Sequence, residues 1–191
     1  MLDCDIRGIP ATQLIRFLTL AAQPIMQKYV KTLIDRLYLR FKSPEGVRQV
    51  GALPYKFVDG QMMFLLVTSR RSGRWIYPKG SLIKGLQNWE SAAQEALEEA
   101  GIEGEVERQP IGSFRAVKRV GQRRRVVEID LFPLRVTTQH DRWQEMKQRR
   151  RVWMTLAEAT TRLADPVLVD LTQKFSHRLM TEGVVAEERN T

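Results

Sequence analysis

Cysteine and histidine are almost missing from the 191 residues: Cys4 stands alone, and His140 and His177 are the two imidazoles. One thiol forms no internal disulfide, and these three groups cannot make a zinc site of Cys and His ligands. Any metal must therefore be held by oxygen. Long apolar runs are also lacking. The most apolar early stretch, Leu14 to Met26, is interrupted by Arg16, Gln23 and Pro24, short of the roughly 20 residues that span a bilayer, so no transmembrane segment is expected. Asp3 and Asp5 occupy the place of a basic leader region, which disfavours a signal peptide and leads to the expectation of a cytoplasmic protein. Acidic residues are the minority, 22 against 31 Lys and Arg. The resulting net charge of +9 and pI near 10.0 suit an anionic partner, whether polyphosphate, nucleic acid or a membrane surface. With 43% hydrophobic and 28% charged residues, the chain is neither a disordered nor a membrane composition, and its length favours one domain with an appendage.

From Tyr29 onward, Val30, Leu33, Ile34, Leu37 and Phe41 recur at three and four residues, which predicts an amphipathic helix. Lys42-Ser43-Pro44-Glu45-Gly46 breaks it. Residues 1–45 are thus expected to be an N-terminal helical extension and linker, 46–180 the main domain and 181–191 a C-terminal tail. The apolar stripe of the extension needs a cover, either the main domain or a second copy in a homodimer. An anionic membrane surface is the competing cover. After the linker, runs of β-formers lie at Val50–Val58, Met62–Thr68, Gly104–Val117, Arg125–Val136 and Arg151–Thr155, the first two joined by a three-residue Asp59-Gly60-Gln61 hairpin loop. Helical patterns run from Asn88 to Ala100, ended by Gly101, and from Leu156 to Leu163 with a continuation after Pro166. Helices interspersed with antiparallel-type strands indicate an α/β or α+β fold.

The segment with the clearest chemistry runs from Trp75 to Ile102, a loop with Gly80 and Gly85 entering a helix. At about 100° per residue, Glu95, Glu98 and Glu99 share one helix face, while Ala93, Ala96, Leu97 and Ala100 fall opposite. Like charges at three and four residues destabilise an isolated helix, and a hard divalent cation with oxygen ligands would compensate. Mg2+ is the natural candidate, with Mn2+ as a substitute. A solvated Glu-rich face is the plainer alternative for the helix taken alone.

This segment resembles the Nudix hydrolase motif, Gly-x5-Glu-x7-Arg-Glu-U-x-Glu-Glu-x-Gly-U with U aliphatic. Gly80 falls on the first glycine, Glu95, Glu98 and Glu99 on the three later glutamates, and Gly101-Ile102 on the ending, with every interval kept. Leu86 stands where the first glutamate belongs and Gln94 where the arginine belongs. In the family those two residues pair, so losing both strands neither charge. The likeness continues through Ala52–Tyr55, Phe64–Arg70, Ile111–Phe114, Asp130–Leu134 and Trp153, about residues 47–175, and is similar to a bacterial branch near diphosphoinositol polyphosphate and diadenosine polyphosphate hydrolases. It implies an α/β/α sandwich around a mixed sheet and a pyrophosphohydrolase that cleaves a phosphoanhydride in a nucleoside or inositol diphosphate-type substrate. A catalytically weakened binding or regulatory module is the alternative that Leu86 and Gln94 raise.

By the same resemblance, Glu95, Glu98 and Glu99 are the catalytic and metal-holding residues, and the Gly80 carbonyl completes the metal's ligands. Which glutamate acts as base is left open, with Glu145 a candidate acid from a distant loop. Arg70, Arg74, Lys79 and Arg115 are candidates for binding the phosphates. Two further basic clusters, Lys118 to Arg125 and Lys147 to Arg151, are either solvated or phosphate-facing. Few aromatics alternate with them as a stacking platform would require, so nucleic acid is the lesser candidate partner beside a small-molecule polyphosphate. Pro78-Lys79-Gly80-Ser81 is not a P-loop, because the lysine precedes the glycine. Trp75, Phe132 and Trp153 read as core, and Trp89 and Trp143 as either core or surface.

Overall fold

A computed structural model describes residues 48–120 and 123–189. The expected N-terminal helix and its linker lie outside the described residues. Within them the chain forms β1 (Arg48–Val58), β2 (Gln61–Thr68), β3 (Trp75–Ile76), β4 (Lys79–Ser81), α1 (Asn88–Ala100), β5 (Ile102–Val106), β6 (Gly112–Val120), β7 (Arg123–Gln139), β8 (Arg151–Thr155), α2 (Leu156–Arg162) and α3 (Pro166–Arg189). The eight strands make one mixed sheet.

Turn chemistry sets the first hairpin. Asp59 and Gly60 both take positive φ, 50° and 75°, and Val58 pairs directly with Gln61. This is a two-residue turn of the I′ kind, whose twist matches that of the strands, and it replaces the three-residue loop expected from the sequence. The run read as one strand from Gly104 to Val117 is two strands, β5 and β6. Pro110, between them, cannot donate to a ladder.

Long β7 lies at the centre. It runs parallel to β1, from Arg48 opposite Glu128 to Tyr55 opposite Arg135. Its other edge takes β6 with its first half and β5 with its second, both antiparallel. Strands β1 and β2 pair from Tyr55 to Val58 and then diverge. In the opening, β4 pairs with the start of β1 and β3 with the end of β2. The divergence therefore brings the loop carrying Gly80 into the sheet.

Alternation along the strands gives the sheet two apolar faces. On one, Val50, Ala52, Leu65, Val67, Phe132 and Leu134 pack with Ala92, Ala96 and Ala100 of α1. On the other, Leu53, Phe64, Leu66, Ile129 and Leu131 pack with Ala159, Leu163, Leu168, Leu171 and Phe175 of α2 and α3. Helices on both faces of a mixed sheet make the α/β/α sandwich expected. Phe132 is core as expected, and Trp75 and Trp153 are partly buried against the two clusters.

The seam of α1 differs from the wheel drawn on the sequence. Ala92, Ala96 and Ala100, each four apart, are fully buried with Ser91, and Glu99 is buried beside them, while Ala93 and Leu97 are only partly covered. Three small side chains on one line let the helix lie close on the sheet and turn Glu99 inward. Helix α3 passes residue 180 unbroken to Arg189, so most of the segment read as a tail continues the helix. No helix among the described residues is long and apolar enough to cross a membrane.

Candidate functional site

Helix α1 has an abrupt start and stop. Gln87 N–H donates to Glu90 Oε2 at 2.8 Å, and Ile83 N–H to the buried Ser91 Oγ at 3.1 Å. These bonds tie the loop to the first turn. At the other end Gly101 adopts the left-handed conformation and donates its N–H to Leu97 O at 2.9 Å. The helix carries Glu90, Glu95, Glu98 and Glu99 and no cationic residue.

Glu95 lies directly over Gly80. A Cβ at position 80 would overlap the Glu95 carboxylate as it stands, so the glycine lets that carboxylate come down onto the strand. Burial, and next the neighbouring charge of Glu98, push the Glu95 carboxyl upward, against the Ser81 backbone N–H that bonds it. Glu98 accepts from Gln94 Nε2 at 2.8 Å. The amide at the position of the expected arginine thus still reaches a motif glutamate one turn away.

Glu99 is not part of a solvated Glu-rich face, the plainer alternative for this helix: it is 5% exposed. Its Oε2 accepts the Lys79 backbone N–H at 3.2 Å, and its Oε1 is ion-paired with Arg149 Nη2. Burial pushes its carboxyl up to about 7, with Arg149 the strongest opposing influence.

Arg149 is the residue that the sequence reading placed in a cationic cluster and did not single out. Its guanidinium is buried, with Nε on Glu145, Nη1 on the Thr68 carbonyl at 2.9 Å and Nη2 on Glu99. Glu145 in turn accepts from Arg70 Nη1 at 2.9 Å, and its own N–H donates to the Glu98 carbonyl at 3.1 Å. The 141–149 connection is thereby fixed to the last turn of α1 and to the end of β2, and Glu145, the distant acid of the sequence reading, stands at the site. Arg151 is likewise absorbed: it donates to the carbonyls of Ala100 and His140 at 2.5 and 2.7 Å and stacks on Trp143. The Lys147 to Arg151 run is therefore in part internal scaffolding, not a wholly solvated patch. One signal of this was present in the sequence, the opposite charges of Glu145 and Arg149 four residues apart.

The other expected phosphate-binding residues divide by position. Arg70 is exposed and engaged with Glu145, and Arg74 is exposed in the turn that Ser69 N–H closes on the Arg74 carbonyl at 2.8 Å. Lys79 brings its backbone N–H to Glu99, whereas its Cβ lies 3.2 Å from where a Cβ on Gly51 would stand, a place that also neighbours Leu131 of the opposite core. Arg115 is exposed on β6 opposite Glu128.

A row across the sheet extends the site. Gly80 pairs with Val50, Val50 with Asp130, and Asp130 with Ser113. At about 4.8 Å per strand, the row reaches roughly 14 Å from Gly80 along the face that α1 covers in part. Asp130 is buried, bonded by Ser113 Oγ at 2.7 Å and by Arg48 Nη2 at 3.0 Å. Arg115 lies two residues along β6 on the same face. The sequence reading missed Arg48 and Ser113, because only the strand register brings them to Asp130.

The donor set of α1 and Gly80 is all oxygen, without thiolate or imidazole, which fits Mg2+ or Mn2+ rather than a softer ion. Raised carboxyls at Glu95 and Glu99 are also what a cation would relieve. Among the described residues no three acidic, His or Cys side chains are grouped as a ready metal centre; Glu98 would have to leave Gln94 to join an ion, while Glu99, held by Arg149 and the Lys79 N–H, would meet it through lone pairs that those bonds leave open.

Comparison with known proteins gives a consistent result. A family model described as NUDIX domain matches residues 47–175. Nudix hydrolase 17, mitochondrial, of Arabidopsis thaliana is 33% identical over 123 residues, covering 60% of this chain and 66% of that protein. Nudix hydrolase 4 of the same plant is 32% identical over 124 residues, covering 60% of this chain and 58% of its own length. The chain thus spans less than two thirds of either relative. Among solved structures, the C. elegans Ap4A hydrolase superposes with a TM-score of 0.51 at 24% identity, covering 70% of this chain and 98% of that one. The NUDIX domain of Shewanella oneidensis NrtR, complexed with ADP ribose, gives 0.55 at 16% identity, covering 76% and 98%. At these identities the structures speak for the fold alone. The organelle in the first relative's name lends no support to a cytoplasmic location.

Proposed function

The chain belongs to the NUDIX domain family, and from that premise we propose that it is a divalent-cation-dependent pyrophosphohydrolase cleaving a phosphoanhydride in a nucleoside or inositol diphosphate-type substrate. The observation that carries the reading is Glu95 lying directly over Gly80 with Glu99, one turn on, bonded to the Lys79 backbone N–H, and Glu98 beside them on the same turn of α1. In this reading Glu95, Glu98 and Glu99, with the Gly80 carbonyl, would hold Mg2+ or Mn2+. When bound, the ion supplies neutralisation of the phosphates and polarisation of water.

The chain's own residues divide the remaining work. Arg70 and Arg74, beside the Gly80 strand, and Arg115, on the sheet row, are assigned to the anionic phosphates, where forked guanidinium donors match phosphate oxygens. Lys79 serves through its backbone N–H, which holds Glu99. Glu98 or Glu99 takes the proton from the attacking water, and Glu145 is the further candidate. Glu145 sits between Arg70 and Arg149 and is bonded by both.

The second reading, a Nudix-fold binding module with weakened catalysis, is favoured by Leu86 and Gln94 and by the engagement of Glu98 with Gln94 and of Glu99 with Arg149. Phosphate release separates the two. The substrates are dinucleoside polyphosphates, ADP ribose and other nucleoside diphosphate conjugates, and diphosphoinositol phosphates, each with Mg2+ or Mn2+. Turnover of at least one, abolished by a chelator, is expected. No turnover on any of them would leave the binding module as the better account.

A further inference from the structure

Helix α1 carries four glutamates and no cation, yet Glu99 is buried to 5% exposure. A carboxylate in such a place needs a fixed partner of opposite charge. The helix does not supply it: residue 94 is a glutamine, bonded to Glu98. The partner comes from the connection between β7 and β8, as the Arg149 guanidinium.

We propose that Arg149 is a positioning residue for Glu99, fixing the direction of that carboxylate at the metal-holding face of α1; the inference rests on the hydrolase reading above. The geometry supports orientation and not charge balance alone. All three edges of the guanidinium are used, on Glu99, on Glu145 and on the Thr68 carbonyl. Anchoring to the end of β2 and to the 141–149 connection fixes the fork in its plane, and the fork then fixes Glu99 Oε1, while the Lys79 N–H fixes Oε2. Both carboxylate oxygens are therefore held by groups that belong to other elements. Rotation of Glu99 is restricted before any substrate arrives, which is how a supporting group raises the effectiveness of a ligand.

The test uses the full chain. Arg149→Ala would strand two carboxylates and can fail on folding grounds alone, so Arg149→Lys is the informative variant. Lysine retains the charge, and with it any repulsion between residue 149 and a bound cation, but it cannot form the three-way fork. The probe is Mn2+ alone, with affinity read by electron paramagnetic resonance, and turnover is measured in parallel. Expected are a folded Arg149→Lys protein by circular dichroism, Mn2+ affinity weaker by tenfold or more, and kcat lower by tenfold or more with KM changed less than threefold. Because Arg149 acts through Glu99, adding Arg149→Lys to Glu99→Gln should change Mn2+ affinity by less than threefold. A loss of less than tenfold in the Mn2+ affinity of the single variant would overturn the proposal, and so would a threefold or greater further loss on the Glu99→Gln background. If the parent turned over no phosphoanhydride, the hydrolase reading would fall while the Mn2+ measurements still decided the role of Arg149.

Discussion

Glu99 holds a carboxyl that burial pushes up to about 7, against the pull of Arg149 and the Lys79 N–H. Its ordinary value in the unfolded chain is near 4.5. Between those two values the folded state keeps a proton that the unfolded state has lost, so this group's contribution to stability falls as pH rises through the window and is flat above it. Urea midpoints measured with a chelator present, from pH 4.5 to 8, should therefore decline with rising pH in the parent relative to Glu99→Gln. Parallel curves would contradict the assignment. The spacing of Glu95, Glu98 and Glu99 was legible in the sequence, and so was the place of Gly80 in the motif. The inward turn of Glu99 was not, because a wheel gives angles and not the side from which a neighbour comes. Its partner lies 50 residues away, inside a run of cations that otherwise reads as solvent-facing.

Elements were legible where a local rule decides them. The bounds of α1 follow from the loop before Asn88 and the glycine after Ala100, and the structure keeps both. The hairpin loop was misread by one residue, since Asp59-Gly60 is itself a complete turn and Gln61 already belongs to β2. Strands β5 and β6 ran together because Val106, Ile111 and Phe114 follow one another closely and Pro110 is the one strong break between them. The seam of α1 gives a direct check on the packing. Ala96 is fully buried against the sheet, so Ala96→Asp places a charge among Val50, Leu65 and Phe132 with no partner. A loss of roughly 3–5 kcal/mol, or failure to fold, is expected from chemical denaturation. A variant within about 0.5 kcal/mol of the parent, the usual spread for surface changes, would show that the helix does not lie as described.

At the scale of the molecule, the divergence of β1 from β2 opens the sheet for the Gly80 strand, and the alanine seam lowers Glu95 and Glu99 onto it. Local pattern foretold the class of the fold but not this opening, which depends on β1 pairing with three different strands. The homodimer and the N-terminal extension rest on residues outside the described ones and stay as expectations from the apolar stripe. The central claim is that the glutamate face of α1 is the hydrolytic centre. It is tested most directly by the metal-dependent turnover of Glu98→Gln and Glu99→Gln beside the parent, on whichever phosphoanhydride the parent cleaves. Each substitution keeps the size of the side chain and removes its charge, so the fold should survive while turnover falls about 100-fold or more, the scale of a lost catalytic acid or base. Near-parent rates with an unchanged dependence on Mg2+ or Mn2+ would contradict the account.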